Sequence, residues 1–347
     1  LRIIDMIEDP ITPLLFNFTY TAMLHDLFGL EQQMSVVVKK DHFAPDPNQI
    51  PEVFSPVYDE FFLQNIQSDI CEDMMHFLDS FPELKAKGSG IVKHFGTISS
   101  IQQAIQRRSL YEFTEIEQLI VSNNSHSEAL RYVEDAIDNN AYDGQDKLRL
   151  VMMYSIKYEQ DRNNQIERLK QKLELQQIDK TDLIRPLLSF CGANSRSLNL
   201  NEQKKTDIQS IAKRLVQKFK DVPENVHQLH VPLIVDLIQQ LLDGALQEDK
   251  FPSVPISTRQ QQQPFGSRIK EQKIQQSSSS STQQSEDPSL RNIIVFIVGG
   301  ATYEESAGMK KFAEKGINIV VGGTEILNSK KFMEMIKEYM LATQFSM

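Results

Sequence analysis

Three things are scarce in this 347-residue chain: cysteine, long apolar runs and clustered positive charge. Cys71 and Cys191 are the only cysteines, too few for a disulfide framework or a thiolate zinc site, so a reducing compartment is the natural reading. No apolar run approaches the ~20 residues that a bilayer-spanning helix needs. The longest, Ile293 to Val298, has the length of a strand. Acidic residues outnumber basic ones by 47 to 37, a formal charge of -10. That argues against nucleic acid as a partner, because phosphate binding needs clustered Lys and Arg to release counterions. The chain opens on Leu1 rather than Met, with no signal peptide before the first strand-like run, a pattern expected of a fragment lacking its N-terminal part. With 40% hydrophobic and 24% charged residues the composition is globular, and the length suits about two domains.

What is present is mostly helical periodicity between two strand signals. Arg2 to Asp5 reads as the end of a buried strand through Ile3 and Ile4, broken by Glu8-Asp9-Pro10 and again by Pro13. Leu14 to Leu27 has helical spacing through Tyr20, Met23, Leu24 and Leu27, and Val36 to Val38 is a short strand candidate. Residues 44–56 hold four prolines and cannot be a helix. Leu63, Ile66, Ile70, Met74, Phe77 and Leu78 then mark one helix face, which Pro82 ends or kinks. Helical patterns follow over 91–105, in two stretches of 148–175, over 201–219 and over 233–246. From Pro252 to Ser289 half the residues are Ser or Gln, which predicts a disordered linker, because too little apolar surface is present to offset ordering entropy. Beyond it, Ile293 to Val298 reads as a strand buried on both faces. A Gly-Gly turn, a helix start at Thr302 to Glu305, a strand at Ile317 to Val321, another Gly-Gly and a helix from Ser329 to Met340 complete a β-α-β-α unit. This tail is too small to stand alone and should complete a parallel sheet begun elsewhere, with Arg2 to Asp5 the obvious strand and the all-α middle an insertion.

Chemical motifs are weak. A strand, Gly299-Gly300 and a helix start could cradle a phosphate on backbone N–H groups, but the Gly-x-Gly-x-x-Gly spacing and a Walker lysine are both missing. Glu304 and Glu305 would repel phosphate; they suit the positive end of a helix dipole, with Thr302 as its cap. Gly322-Gly323-Thr324 reads the same way. Asp5, Glu8 and Asp9 at a strand end could bind Mg²⁺ or do acid–base work, although Asp9-Pro10 is an ordinary turn initiator. His227 and His230 lack metal-site spacing, and neither cysteine has the signature of a nucleophile. No metal or cofactor is expected, and a chain this long without a catalytic constellation is expected to act by binding. The alternative is an α/β enzyme holding a nucleotide or Mg²⁺ at the Gly299-Gly300 turn and Asp5.

Several segments together resemble a known family. Ile4-Asp5 through Asp9-Pro10 and Thr12-Pro13 to Leu15, followed by Phe18 to Met23, resembles a hallmark segment of the Sec-one/Munc-eighteen (SM) proteins, regulators of SNARE-mediated membrane fusion. Ser80 to Leu84 with Gly90 to Phe95, Glu115 to Gln118, Lys147 to Tyr154 with Tyr158-Glu159, and Ile294 to Glu305 with Gly322 to Thr324 and Asn328 to Lys330 agree in order. The last pair looks most like the vacuolar-sorting branch, which serves Golgi and endosomal syntaxins. The resemblance implies an arch in which a parallel α/β sheet domain is split by a large helical insertion. Residues 1–11 would end the first half of that domain and 290–347 return to it. The helical insertion would occupy 12–135 and 136–250, and 251–289 the linker. It implies a SNARE-templating hairpin at 57–105, with Leu63, Ile66, Ile70, Pro82, Lys93, His94 and Phe95 as partner-binding residues. Asp5, Asp9, Pro10, Pro13, Gly299, Gly300, Thr302, Tyr303, Glu304, Glu305, Gly322, Gly323 and Thr324 would be structural family positions. It further implies no catalysis, a syntaxin-type SNARE and the assembled SNARE bundle as partners, and a cytoplasmic monomer held peripherally on Golgi or endosomal membranes through those partners.

Three departures stand out. The family's N-terminal domain is missing, Met6-Ile7 replaces a basic pair, and the hairpin's first arm is short, so the chain alone is expected to bind a syntaxin bundle weakly or not at all. The acidity is local: from Asp41 to Glu83 there are ten acidic residues and no Lys or Arg, and without them the acids would match the 37 bases. This arm would steer basic segments of a partner and stay off anionic lipid.

Overall fold

The computed structural model describes residues 2–30, 36–37, 53–54, 89–122, 125–198, 227, 229–252 and 292–344. Most of the proline-rich stretch 44–56, residues 57–88, the stretch at 201–219 and the Ser/Gln-rich residues 253–289 lie outside them. Strands β1 (Arg2–Asp5), β4 (Asn292–Val298) and β5 (Asn318–Gly323) form a three-stranded sheet in the order β1-β4-β5. Both pairings are parallel, with Ile3 opposite Phe296 and Val295 opposite Val321. Strands adjacent in space are thus separated in sequence by the entire helical region, as the incomplete tail requires. A separate antiparallel pair joins β2 (Val36–Val37) to β3 (Val53–Phe54).

The helical region contains α1 (Tyr20–Phe28), α2 (Ser89–Arg107), α3 (Leu110–Ser122), α4 (His126–Asp138), α5 (Gly144–Tyr158), α6 (Ile166–Leu175), α7 (Ile184–Cys191) and α8 (Leu233–Leu242). Helix α4 shows why they pack: Ala129, Val133, Ala136 and Ile137 recur at helical spacing and all are buried. Helix α5 is buried on every side from Asp146 to Ile156, which marks the centre of a bundle, and it packs on α3, α4, α6 and α7. Asp143 caps its N-terminus through Gln145 N–H (2.8 Å). Lys157, in its last turn, donates Nζ to the carbonyls of Ile120 (2.8 Å) and Val121 (2.5 Å), satisfying two orphan acceptors at the end of α3.

After β4 come α9 (Tyr303–Gly308) and α10 (Lys310–Ala313), and after β5 comes α11 (Ser329–Gln344). Ile293, Val295 and Ile297 on the inner face of β4 join Phe312, Phe332 and Ile336 in one core. That core continues without a break into Phe113, Leu150 and Leu187 of the bundle.

Several expectations need correction. Helix α1 starts at Tyr20 rather than near Leu14, because a 3₁₀ turn at Thr12–Leu14 with Pro13 near its start gives way to extended backbone at Leu15. Helix α8 stops at Leu242, ahead of Gly244 in the left-handed region (φ +66°). Strand β4 is not buried on both faces: it alternates, with Ile294, Phe296 and Val298 outward. Together with Ile3 and Val320 they are 37–63% exposed. Among the described residues only one helical layer covers the sheet, whereas a parallel sheet ordinarily has both faces covered.

Candidate partner-binding surface

Helix α2 lies at the end of the 57–105 stretch, and the residues that hold it come from earlier in the chain. Thr97, Ile98, Ser100, Ile101 and Ile105 form its inward face, while Gln103, Gln106 and Arg107 face out. His94 is fully buried, and its Nδ1 lies 2.9 Å from the Tyr20 hydroxyl of α1. Its side chain therefore anchors the arm and is not presented to a partner, which corrects the expectation for this residue. Leu63, Ile66, Ile70 and Pro82 lie outside the described residues, and only the helical backbone is described for Lys93 and Phe95.

Beneath the arm sits a charged cluster inside the bundle. Arg149 on α5 pairs with Glu117 on α3 and with Asp146 (3.4 Å), and its guanidinium lies 3.7 Å from the Phe16 ring centre. Phe16 N–H donates to the other Glu117 oxygen (3.2 Å). Arg108, at the joint between α2 and α3, reaches Asp146 at 2.5 Å. Burial pushes Glu117 up to about 7, against the pull of Arg149. Charges this deep persist only when paired, so the cluster ties the lead-in to α1, the α2–α3 joint and α5 into one rigid base for the arm.

The acidic residues after β1 are latches. Asp5 accepts from Ile7 N–H (3.1 Å). Glu8 accepts from Ser197 N–H (3.0 Å) and Leu198 N–H (2.8 Å), and from the Ser197 hydroxyl. Asp9 accepts from the Thr12 hydroxyl (2.7 Å) and from Leu233 N–H (2.8 Å), capping α8 from a distance in sequence. The turn begun at Pro10 and closed by Pro13 is itself buried. His230 completes this knot, its Nε2 2.8 Å from the Thr12 hydroxyl and its N–H donating to Gln118 (2.7 Å). Among the described residues no group of His, Cys, Asp and Glu could hold a metal ion.

The glycine turns are closed in the same way. Gly299 N–H donates to Thr324 Oγ1 (3.0 Å), Ala301 N–H to Glu325 O (2.9 Å) and Thr302 N–H to Glu305 Oε2 (2.7 Å). Three of the N–H groups at this turn, those of Gly299, Ala301 and Thr302, are therefore occupied. A Cβ on Gly299 (φ +98°) would overlap Met6, one on Gly300 (φ +135°) Leu327, and one on Gly323 the backbone of Ala301. Gly322, by contrast, has open space. Thr302 and Glu305 form a capping box, with Glu305 N–H donating to Thr302 Oγ1 (3.1 Å). Burial pushes Glu305 up to about 8, so at neutral pH it serves α9 as a hydrogen-bonding group more than as a dipole charge. Tyr303, also buried enough to be pushed up to about 12, packs edge-on against His25 of α1.

The sequence reading missed the Arg149–Glu117–Asp146 cluster, although Glu117 and Arg149 stand in segments it singled out. The available signal was a charge inside an apolar pattern: Glu117 between Phe113 and Ile120, and Arg149 between Leu148 and Leu150.

A parallel sheet whose strands are split in sequence around a helical region has counterparts among known proteins. Residues 1–335 match the Sec1 family model, and the chain belongs to the Sec1 family. It is 28% identical over 367 aligned positions to the vacuolar protein sorting-associated protein 45 homolog of Arabidopsis thaliana, covering 97% of this chain and 59% of that protein. The Mus musculus counterpart is 27% identical with the same coverage. Among solved structures, the SM protein Vps45 superposes with a TM-score of 0.70 at 25% identity, over 97% of this chain and 56% of the other. Vps45 in complex with the Qa SNARE Tlg2 gives 0.69 at 25% identity, over 97% and 59%. The chain thus spans 59% of the length of these curated relatives.

Proposed function

We propose that the chain is the helical and α/β body of an SM-type regulator that binds a syntaxin-type SNARE during vesicle docking and fusion in Golgi, endosomal and vacuolar transport. The observation that carries this is the collinear match of 97% of the chain to proteins named for vacuolar sorting, one of them solved with a Qa SNARE bound. The arch with its split sheet domain follows the same reading. Residues 1–11 and 290–347 are its two halves, 12–135 and 136–250 the helical insertion, and 251–289 the linker. Binding is of the helix-in-groove kind, with the 57–105 hairpin and its Leu63, Ile66, Ile70, Pro82, Lys93 and Phe95 as the contact arm. The closed glycine turns and the latched carboxylates Asp5, Glu8 and Asp9 favour binding without catalysis. Among the described residues no helix is long and apolar enough to cross a membrane, and peripheral attachment through the SNARE partner fits this reading.

Calorimetric titration with the cytosolic helical region of a syntaxin-type SNARE tests it. A chain holding part of the cleft binds at roughly micromolar affinity or weaker, with loss of heat in Phe95→Ala. A nanomolar constant overturns the weak binding expected of this chain, and heat unchanged in Phe95→Ala overturns the contact arm.

A further inference from the structure

Between the Thr12–Leu14 turn, α1 and the start of α9 lies a cavity of about 290 Å³ counting its open mouth. About 20 Å³ of it admits the centre of a water-sized group, room for roughly one such group. Its walls divide by chemistry. Pro13, Leu15, Ala22 and Leu327 make an apolar side, and Asp26 and Glu304 bring two carboxyls to the other.

Two neutral polar residues of the wall are engaged elsewhere. Asn328 donates to the His25 carbonyl (2.8 Å) and accepts from Lys331 N–H (2.9 Å). His25 accepts from Leu30 N–H at Nδ1 (2.9 Å), which leaves Nε2 to donate to the Ile326 carbonyl (3.2 Å). Burial holds that ring neutral, down to about 4. Glu304 Oε2, in contrast, is buried with no hydrogen-bond partner.

The charges facing Glu304 are Asp9 from the β1 loop, Asp26 from α1, Glu117 from α3 and Glu305 from its own helix. All are acidic. Of the cations near the cavity, Arg149 pairs with Glu117 and Asp146 and Arg108 with Asp146, while Lys330 acts on Asp26. Desolvation and these four carboxyls push Glu304 well above the carboxyl range, and desolvation raises Asp26 to about 6 against Arg149, Arg108 and Lys330. A buried carboxyl in such a field keeps its proton or takes a cation.

We propose that this cavity binds a primary alkylammonium group, the chemistry of a lysine terminus, with the stem against Pro13, Leu15, Ala22 and Leu327 and the ammonium between Asp26 and Glu304. An ammonium has three donors and no acceptor, matching carboxyl oxygens, and it is the size of a water. The proposal rests on the cavity and is independent of the SNARE reading. On binding, the Glu304 O–H bond breaks, its proton passes to solvent, and the carboxylate pairs with the ligand. Affinity therefore rises about tenfold per pH unit while Glu304 is still protonated in the empty site.

Calorimetric titration of the full 347-residue chain with n-butylammonium chloride from pH 6 to 8, in two buffers of different ionisation heat, reads affinity and proton release together. Saturable binding with one proton released per ligand is expected. Glu304→Gln should abolish the release, flatten the pH dependence and weaken binding at least tenfold. Asp26→Asn, which leaves Glu304 in place, should weaken binding and keep the release. Tetramethylammonium, with no N–H donor, should not bind. A second arm uses an acetylated and amidated Gly-Lys-Gly peptide: binding of both ligands points to a polypeptide lysine, and of butylammonium alone to a free amine. No saturable binding of either, binding without proton release, or full release in Glu304→Gln would overturn the proposal.

Discussion

The helical bundle and the sheet use their apolar residues differently. In the bundle, Phe113, Val133, Leu150, Leu169 and Leu187 come from five helices and all are fully buried in one core. In the sheet, Ile293, Val295 and Ile297 of β4 share that core while Ile294, Phe296 and Val298 on the same strand do not. A helix needs one partner for one stripe, and its neighbours in the chain supply it. A parallel strand needs a layer on each face, and the described residues provide one. The bundle's stability therefore lies within these residues, and half of the sheet's apolar surface contributes nothing to it.

The largest effect should come from the bundle's buried charges. Arg149→Ala leaves Glu117 and Asp146 without their shared cation and should cost about 3–5 kcal/mol, read from the urea midpoint and slope. A loss below about 1 kcal/mol would mean that the cluster is not the base described here. The sheet gives a sharper contrast, because one strand carries both conditions. Ile297→Ala should cost about 2–5 kcal/mol and Ile294→Ala within about 0.5 kcal/mol. Equal losses would break the distinction between the faces. The open face should also make the chain self-associate, with Ile294→Lys reducing association in light scattering; a monomeric unsubstituted chain would contradict this.

The smallest effect is a pH slope. Glu305, raised to about 8, holds a proton in the folded chain that the unfolded chain has released. The native state binds more protons, so stability falls as pH rises through this value, by about 1.4 kcal/mol per unit inside the window. His25, lowered from 6.5 to about 4, acts in the opposite direction but only below 6.5. Denaturation at pH 6.5 and 8 should show the loss, and Glu305→Gln should reduce it; a flat profile would remove the claim that this carboxyl is protonated.

Much of this was legible in the chain. The spacing of Ile98, Ile101 and Ile105 anticipated α2, the run at 317–321 anticipated β5, and Thr302 with Glu305 anticipated a capped helix start. Collinear motifs identified the family without the structure. The start of α1 was not legible, because Leu14, Leu15, Phe16 and Phe18 are apolar and buried whether helical or extended. His94 was expected on a surface and is internal, because its position among apolar neighbours says nothing of the Tyr20 hydroxyl that receives it. Arg149 and Glu117 belong to different helices, and no local pattern connects them.

By itself the sequence determined many of the segments that form helices and strands, since periodicity and capping act over a few residues, although α3, α4 and α7 were not singled out as helices. It also determined that the β-α-β-α tail needs a strand from elsewhere, since so short a parallel unit cannot close its own sheet. Tertiary structure alone decided which carboxyls are latches, which are paired and which, like Glu304, have no partner. Burial and charge depend on what arrives from distant parts of the chain, and so does the choice of which face of β4 is covered.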